Sequence, residues 1–361
     1  MNVIIRADGN REIAMGHMMR CLSIAEALRD AGAQVRFVTA GDETRDLIAS
    51  RGFSHSILYT SFRDMEDELP ALRRLVDDWQ AGRILVDSYF VTQRYMRELG
   101  AWAETAYVDD LGEPVWPVDM LINYNIYGAE LPYAAWYRKA GIPLPKRMLL
   151  GCGYAPLRRE FVGQAACAPR DFVRDVLITT GGGDAANAAE ALCGGILQEA
   201  RQGMHAGIRY HVVCGPFSQQ KERLRALARA HPMFCIHENV TNMSELMRSC
   251  DIAVSAAGST MYELCSMRIP AVCFYFAENQ KKMAACFGRT TEIQNAGNIT
   301  EARERVLDRL LDRLRELEQD GALRERIRKQ MGALTDGRGA GRIAEALTGQ
   351  RTGYEDKRGK L

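Results

Sequence analysis

Short apolar runs alternate with segments of helical spacing along most of the chain. Such runs are typical of buried strands, and their alternation with helices predicts parallel sheets covered by helices. In the first half, the predicted strands are residues 3–5, 35–38, 84–86, 106–108 and 120–122. In the second half, they are residues 176–179, 210–213, 234–236, 252–255 and 271–274. The pattern therefore predicts an α/β fold with two doubly wound, Rossmann-like parallel-sheet domains.

A stretch without sustained periodicity separates the two halves. It contains Gly151, Gly153, Pro156 and Pro169, which interrupt regular structure. We predict an amino-terminal domain at 1–155, a linker at 156–170 and a carboxyl-terminal domain at 171–335. A chain of 361 residues suits two domains of ordinary size, and we expect them to face each other across an interdomain cleft.

The segment after residue 300 is highly charged. Leucines recur at helical spacing within residues 301–332, which predicts one or two amphipathic helices covering a domain. A glycine-rich break at 335–342 precedes a short predicted helix at 343–347. We expect residues 336–361 to form this helix and a solvated tail.

Composition narrows the classes of function. The chain has 47 basic and 46 acidic residues, scattered rather than clustered, so we expect no nucleic-acid partner. Its ten cysteines include no CxxC pair, which is typical of buried thiols in a reducing compartment. No signal sequence and no apolar run of membrane-spanning length is evident, so we expect a cytoplasmic protein without stable membrane insertion. The lack of heptads gives no reason for a coiled-coil assembly, and we expect a monomer.

One histidine lies where the first predicted strand gives way to a helix. Gly16 and His17 precede apolar positions at helical spacing, so the helix should begin there. The N–H groups and positive dipole end of a helix attract anions and tend to keep an imidazole neutral and able to accept a proton. Arg6, Asp8 and Arg20 add charged groups nearby in sequence. The alternative is that His17 only packs or hydrogen-bonds at the helix start.

A glycine triplet follows strand 176–179. Gly181, Gly182 and Gly183 would permit close approach of a phosphate at a helix start, or they simply let a strand meet a helix closely. The G-x-G-x-x-G spacing and a P-loop lysine are lacking. The triplet therefore disfavours NAD binding and ATPase activity.

A small-residue turn follows strand 252–255. Ser259 or Thr260 could be the N-cap of a capping box, with Glu263 reaching back to its backbone. Alternatively, the hydroxyl and N–H groups that begin at Gly258 hold a diphosphate, and Glu263 accepts hydrogen bonds from a ribose diol.

A third polar cluster, Glu278-Asn279-Gln280, follows strand 271–274. Because the carboxyl ends of parallel strands share one edge of a sheet, we expect the three clusters to converge. Together they favour a nucleotide-diphosphate pocket in the second domain.

The first domain also carries polar residues after its strands. Asp87 and Tyr89 follow strand 84–86, and Asp109 and Asp110 follow strand 106–108. Asp87 would most simply cap a helix or hold a loop. Tyr89 could hydrogen-bond a substrate oxygen or orient His17.

Taken in order, these residues resemble the UDP-sugar hydrolase family of pseudaminic acid biosynthesis, within the MurG-like GT-B superfamily. The resemblance spans nearly the whole chain and rests on the set of motifs. The motifs are Arg6-Ala7-Asp8, Gly16-His17, Arg20, Val86-Asp87-Ser88-Tyr89, Gly151-Cys152-Gly153-Tyr154-Ala155-Pro156-Leu157-Arg158, Gly258-Ser259-Thr260-x-x-Glu263, Glu278-Asn279-Gln280 and Asp336-Gly337-x-Gly339-Ala340. The resemblance implies the GT-B fold, a UDP-sugar substrate and a reaction that needs neither cofactor nor metal.

The resemblance also implies roles for single residues. His17 matches the catalytic base that activates water, Tyr89 and Asn279 match positions lining the sugar and diphosphate, and the backbone at Val240 would meet uracil. The residues expected to be catalytic are His17 and Tyr89. The full set expected to bind substrate is Arg6, Asp8, Gly16, Arg20, Asp87, Gly181, Gly182, Gly183, Val240, Gly258, Ser259, Thr260, Glu263, Asn279 and Gln280. The implied reaction cleaves UDP-2,4-diacetamido-2,4,6-trideoxy-β-L-altropyranose to UDP and the free sugar. Since UDP is a good leaving group, one base can suffice without the carboxylate pair of glycosidases.

Two other functions compete with hydrolysis. A MurG-type transferase using a UDP-N-acetylhexosamine would need an apolar and basic membrane-facing patch, and no such cluster is found near the amino terminus. A UDP-sugar-binding protein without turnover would not need His17, which this chain has together with the predicted nucleotide residues. Both observations favour the hydrolase.

Overall fold

The computed structural model describes residues 1–10, 12–13, 15–112, 115–164, 169–181, 184, 186–215 and 218–350. The chain divides into two compact units. Unit 1 is Met1–Arg159 together with the segment that begins at Gly337, and unit 2 is Glu160–Asp336. The division after Arg159 falls within the segment predicted as the linker.

Unit 1 contains a seven-stranded sheet in the order β3-β2-β1-β4-β5-β6-β7, and all its strand pairs are parallel. Buried runs such as Val3 to Ile5 form its central strands because helices cover both faces of a doubly wound sheet. The strands are β1 (Asn2–Ala7), β2 (Gln34–Thr39), β3 (Ser54–Ile57), β4 (Arg83–Asp87), β5 (Glu104–Val108), β6 (Met120–Asn123) and β7 (Arg147–Leu150). The helices are α1 (Gly16–Asp30), α2 (Arg45–Ser50), α3 (Leu69–Asp78), α4 (Gln93–Trp102), α5 (Tyr133–Ala140) and, far along the chain, α13 (Gly339–Thr348).

Unit 2 contains a six-stranded sheet in the order β10-β9-β8-β11-β12-β13, again parallel throughout. Its strands are β8 (Asp175–Thr179), β9 (Arg209–Cys214), β10 (Phe234–Glu238), β11 (Ile252–Ala256), β12 (Ala271–Tyr275) and β13 (Gln294–Asn298). Its helices are α6 (Ala188–Ala200), α7 (Lys221–Ala230), α8 (Met243–Ser249), α9 (Thr260–Met267), α10 (Glu278–Thr290), α11 (Arg303–Gln319) and α12 (Gly321–Leu334). The predicted class, two Rossmann-like parallel-sheet domains, is confirmed.

Three strands were not predicted from the sequence, and all three lie at sheet edges. The sequence of β3 is Ser-His-Ser-Ile and that of β13 is Gln-Asn-Ala-Gly-Asn, so neither has an apolar run. The third, β7, has only Met148, Leu149 and Leu150 after an exposed arginine. An edge strand pairs on one side only and is less buried, which removes the continuous apolar pattern of a central strand.

The charged segment after residue 300 forms two helices, α11 and α12, as predicted. The buried side chains of α11 include Leu310, Leu314 and Leu317 at helical spacing, and the helix packs against α6 and β13. The amphipathic pattern thus covers the unit 2 sheet.

The last described helix, α13, belongs to unit 1 and packs against α1. It begins at Gly339, earlier than predicted, and a Cβ there would collide with the backbone of Tyr154 and Ala155. Arg342 donates to the Gly153 carbonyl at 2.8 Å. The glycine-rich break and the Gly-Cys-Gly-Tyr-Ala-Pro motif are therefore two sides of one close backbone contact.

Burial of the thiols agrees with the sequence prediction. The nine described cysteines are free, and eight of them are buried. Cys167 lies outside the described residues. Among the described helices, none combines the length and apolar character needed to cross a membrane.

Candidate functional site

His17 is the second residue of α1, so the predicted position at the helix start is confirmed. Its side chain lies in a nearly closed environment, and the residue is 4% exposed. The loop from β1 to α1 leads to it from the carboxyl end of a central strand. A central strand and a helix start hold the ring more firmly than a loop would.

Asp87 orients the histidine. It ends β4, which is paired with β1 so that Asp87 lies opposite Ala7. Its Oδ1 lies 2.6 Å from Nδ1 of His17. Because an ionised carboxylate can only accept, the neutral ring carries its proton on Nδ1 and has its lone pair on Nε2. The alternative in which Asp87 only caps a helix or holds a loop is not observed. The prediction that Asp87 contacts substrate is wrong, because the residue is 1% exposed and both its oxygens accept hydrogen bonds within unit 1.

Charge around Asp87 keeps it ionised. Burial alone would raise its pKa, but the positive charge of Arg20 and the contact with His17 hold the pKa of Asp87 well below its usual range. The carboxylate is therefore ionised at neutral pH and can accept from the ring.

Arg20 lies one helical turn after His17 and is tied to three groups. It donates to both oxygens of Asp87 at 2.5 Å, to Oδ2 of Asp110 at 2.5 Å and to the hydroxyl of Tyr124 at 2.7 Å. Its Nη2 also lies 2.9 Å from Nδ1 of His17, since both nitrogens donate to the same carboxylate oxygen. Arg20 was predicted to bind substrate. Its contacts instead give it a role in fixing the Asp87 carboxylate.

Tyr89 lies beside the histidine and is 38% exposed. Its ring meets the His17 ring edge-on with centroids 4.4 Å apart, and its hydroxyl donates to Asp110 at 3.0 Å. Burial and the neighbouring Asp110 raise its pKa, so the hydroxyl keeps its proton. Tyr89 thus packs against the ring that Asp87 orients.

Two members of this cluster were not in the predicted site. Asp110 follows β5, where the sequence indicates only a polar residue after a strand, and Tyr124 follows β6 and is not among the predicted site residues. Burial raises the pKa of Tyr124 to about 12. The same rule that located Asp87, namely polar residues directly after strands, identifies both.

Arg6 and Asp8 belong to a buried network. Arg6 is fully buried, and its guanidinium donates to Glu68 at 2.7 Å and to Asp8 at 2.5 Å. The hydroxyl of Tyr95 donates to Glu68 at 2.6 Å. The prediction that Arg6 contacts substrate is wrong, because its side chain is enclosed and paired. Asp8 accepts from the backbone of Ala40 at 2.7 Å and lines a small cavity.

In unit 2, the three predicted clusters follow neighbouring strands β8, β11 and β12. Gly181 has a φ of +82°, a conformation that glycine adopts readily. Gly182 and Gly183 lie outside the described residues. The carboxyl ends of these strands therefore lie side by side at one edge of the sheet, as the sequence predicted.

The second and third clusters meet. A Cβ at Gly258 would lie 3.9 Å from Nε2 of Gln280, and Oε1 of Gln280 accepts from the backbone of Phe276 at 3.2 Å. Ser259 is exposed and, among the described residues, its side chain makes no capping hydrogen bond to α9. Ser259 therefore occupies the N-cap position of α9, but the side-chain hydrogen bond from Ser259 that a capping box requires is not observed.

Some of the remaining predicted residues of unit 2 lie beside this turn, and one lies away from it. Thr260 begins α9, Glu263 lies one turn into it, and Asn279 is exposed near the start of α10. Val240 follows β10, which is separated from β11 by β9 and β8. The structure thus brings Gly258, Thr260 and Gln280 to one place, while Val240 lies towards the opposite edge of the sheet.

Comparison with known proteins gives distant relatives. No family model matches the chain. It is similar to an uncharacterized protein of Methanocaldococcus jannaschii, with 25% identity over 78% of this chain and 57% of that protein. It is also similar to the spore coat polysaccharide biosynthesis protein SpsG of Bacillus subtilis, with 23% identity over 96% of this chain and 98% of that protein. The chain therefore spans little more than half of the first relative and nearly all of the second.

Solved structures agree over almost the entire chain. MurG of Acinetobacter baumannii has a TM-score of 0.65 at 14% identity and covers 97% of this chain, with 99% of its own chain covered. MnaA of S. aureus, in a co-structure with UDP, has a TM-score of 0.63 at 10% identity, with 97% and 99% covered. At such identities the likeness shows the fold alone. The chain has the two parallel-sheet, Rossmann-like units of the GT-B fold.

Proposed function

We propose that this protein hydrolyses a UDP-linked diacetamido-trideoxyhexose, UDP-2,4-diacetamido-2,4,6-trideoxy-β-L-altropyranose, to UDP and the free sugar. The observation that carries the proposal is the 2.6 Å contact of His17 Nδ1 with Asp87, because it leaves Nε2 as a proton acceptor. The fold shared with MurG and with UDP-bound MnaA supports a nucleotide-sugar substrate. The name of SpsG supports a place in the synthesis of a surface glycan.

In the proposed reaction, Nε2 of His17 accepts a proton from water as the water oxygen attacks the anomeric carbon. The bond from that carbon to the diphosphate oxygen breaks, and its electron pair leaves with UDP. The ionised Asp87 balances the positive charge that the ring then carries, as a buried carboxylate does for a catalytic histidine. Tyr89, packed on the ring, shields it on one side.

The residues of unit 2 bind the UDP in this proposal. The turn at Gly258 leaves room for a phosphate to approach the backbone, and the start of α9 offers N–H donors and a positive dipole end. These groups stabilise the charge that develops on the departing diphosphate. Gln280 and Asn279 provide further donors beside the turn.

The test measures UDP release in water, with chelator present, from the diacetamido-altrose substrate and from UDP-GlcNAc, with the sugar product followed by NMR. Release from the altrose substrate alone, lost in His17→Asn while UDP affinity is kept, is the expected result. A general base contributes about 10²–10⁴-fold, so the variant should lose at least that much. His231→Asn, a change of a histidine in unit 2, is the matched control and should keep full activity.

Other outcomes would contradict the proposal. Equal loss of turnover and UDP binding in His17→Asn would remove its role as the base. Tight UDP binding without release from either sugar would point to a transferase that lacks its acceptor or to a binding protein.

A further inference from the structure

A small cavity of about 80 Å³ lies in unit 1, at the carboxyl ends of the paired strands β1 and β2. At roughly 30 Å³ for each water in the liquid, this space exceeds that of a single water and suits a substituent of about four heavy atoms. The side chains that line it and enter the argument are Asp8, Thr39, Glu43, Thr44, Thr60 and Phe62.

One hydroxyl in the wall is left without a hydrogen bond in the part of the chain that the structure describes. The Oγ1 atom of Thr60 is buried and has no hydrogen-bond partner among the described residues. Its neighbours are satisfied, since Thr39 donates to the Gly41 carbonyl at 2.6 Å and Asp8 accepts from Ala40 at 2.7 Å. A buried hydroxyl without a partner is costly, so Thr60 is poised to hydrogen-bond a group that enters the cavity.

The charge of the wall selects the kind of group. Asp8 and Glu43 contribute carboxylates, and Glu43 folds over Gly41 so closely that a Cβ there would collide with its Oε2. Two carboxylates repel phosphate but accept from N–H and O–H groups. Phe62 and the methyl group of Thr44 offer apolar contact. A neutral substituent with a carbonyl, an N–H and a methyl group fits this wall.

Part of the cavity wall belongs to the segment between β1 and α1, which leads to the proposed base. A Cβ at Gly9, which also lines the cavity, would lie 3.1 Å from Cγ2 of Thr44 and 3.2 Å from Cβ of Met18. Met18 is the neighbour of His17 in α1. Gly9 therefore belongs both to the cavity wall and to the segment that packs against the start of α1.

We infer that this cavity binds one acetamido substituent of the sugar, with Thr60 donating to its carbonyl and a carboxylate of Asp8 or Glu43 accepting from its N–H. The inference rests on the proposed function, and it assigns the recognition of the sugar to unit 1. Thr60 is then a specificity-determining residue of the proposed reaction.

The test compares the affinities of UDP and of the intact diacetamido-altrose substrate, measured by calorimetry in a His17→Asn background. Thr60→Val keeps the shape and removes the hydroxyl, so it should weaken binding of the UDP-sugar about 3- to 10-fold, the range for one lost hydrogen bond, and leave UDP affinity unchanged. Thr60→Ser keeps the hydroxyl and should bind the UDP-sugar nearly as well as the parent.

Two results would overturn the inference. Either Thr60→Val leaves the UDP-sugar affinity unchanged, as a site for water only would, or it weakens UDP and UDP-sugar equally. If Thr60→Val does not fold, Glu43→Ala at an exposed position replaces it, with a selective loss of UDP-sugar affinity expected and no change again contradictory.

The outcomes separate this inference from the proposed function. Without UDP release in the wild type, a selective loss in Thr60→Val still supports the acetamido site while hydrolysis fails. With UDP release and no effect of Thr60→Val, hydrolysis stands and the acetamido site falls.

Discussion

The residues after the strands of unit 1 differ from those after the strands of unit 2 in how they are held. In unit 1, His17, Asp87 and Arg20 are joined by bonds of 2.5–2.6 Å in a nearly closed cluster. In unit 2, the turn at Gly258 is open and Ser259 and Asn279 are exposed. A proton acceptor must be aimed before its substrate arrives, so its orientation is fixed by neighbouring side chains. A diphosphate is bound by backbone N–H groups, which only need to be accessible.

The substitution Asp87→Asn tests the fixed cluster of unit 1, and it has the largest effect on turnover that we expect. An amide can donate as well as accept, so it no longer enforces the Nδ1–H form of His17, and Arg20 loses its charge partner. We expect turnover at saturating UDP-sugar to fall about 10²–10⁴-fold, while UDP affinity in calorimetry stays unchanged.

The matched variant is Asp110→Asn. Asp110 shares Arg20 and Tyr89 with the cluster, and no described hydrogen bond joins it to His17. Its turnover should fall much less. Parallel losses of turnover and of melting temperature in both variants would show that Asp87 acts only through stability.

A pH experiment tests how the burial of a carboxyl group in unit 1, that of Asp109, changes the free energy of unfolding. Burial raises the pKa of Asp109 to about 6, although Tyr133 donates to it at 2.6 Å. The folded protein then binds a proton that the unfolded chain releases, so Asp109 lowers stability as the pH rises through 6. From pH 5 to pH 8 the wild type should lose about 1.4 kcal/mol of its free energy of unfolding relative to Asp109→Asn, measured by urea titration.

Asp119→Asn serves as the control for that experiment. Burial would raise the pKa of Asp119, but the hydrogen bond from Lys146 lowers it below its ordinary value. Its contribution is complete above pH 5 and is lost only in stronger acid. The difference between wild type and this variant should therefore stay constant from pH 5 to pH 8, and a matching drift would contradict the assignment to Asp109.

The smallest expected effect belongs to unit 2. A methyl group at Gly258 has open space in the protein, with only Nε2 of Gln280 at 3.9 Å, so Gly258→Ala should keep the melting temperature. It should weaken UDP binding about fivefold, because the methyl group takes the space through which a phosphate reaches the backbone. Gly194→Ala, which meets no atom within 4 Å in α6, should leave UDP affinity unchanged. Equal affinities of all three proteins would mean that the diphosphate binds elsewhere.

Features that depend on a short-range pattern of residues could be predicted from the sequence. Apolar runs located the central strands, the period of α1 placed His17 at its start, and the rule for parallel strands gathered the turns after β8, β11 and β12 at one edge. These inferences need only the local period and the direction of each strand.

Contacts between residues far apart in the sequence depend on the order of strands in the sheet, and a local pattern does not predict that order. Asp87 reaches His17 because β4 is paired with β1, although the two residues are 70 positions apart. Arg6 looked like a charged residue near a site, yet Glu68, 62 positions away, pairs with it inside the unit. A charge read from sequence says nothing of the partner that neutralises it.

The position of α13 has a consequence for folding during synthesis on the ribosome. The strands of unit 1 are made first, but the helix that packs against α1 is made only after all of unit 2. Buried side chains of α13 such as Ile343 and Leu347 therefore complete unit 1 last. While unit 2 is being made, the surface of α1 that α13 later covers stays exposed to solvent.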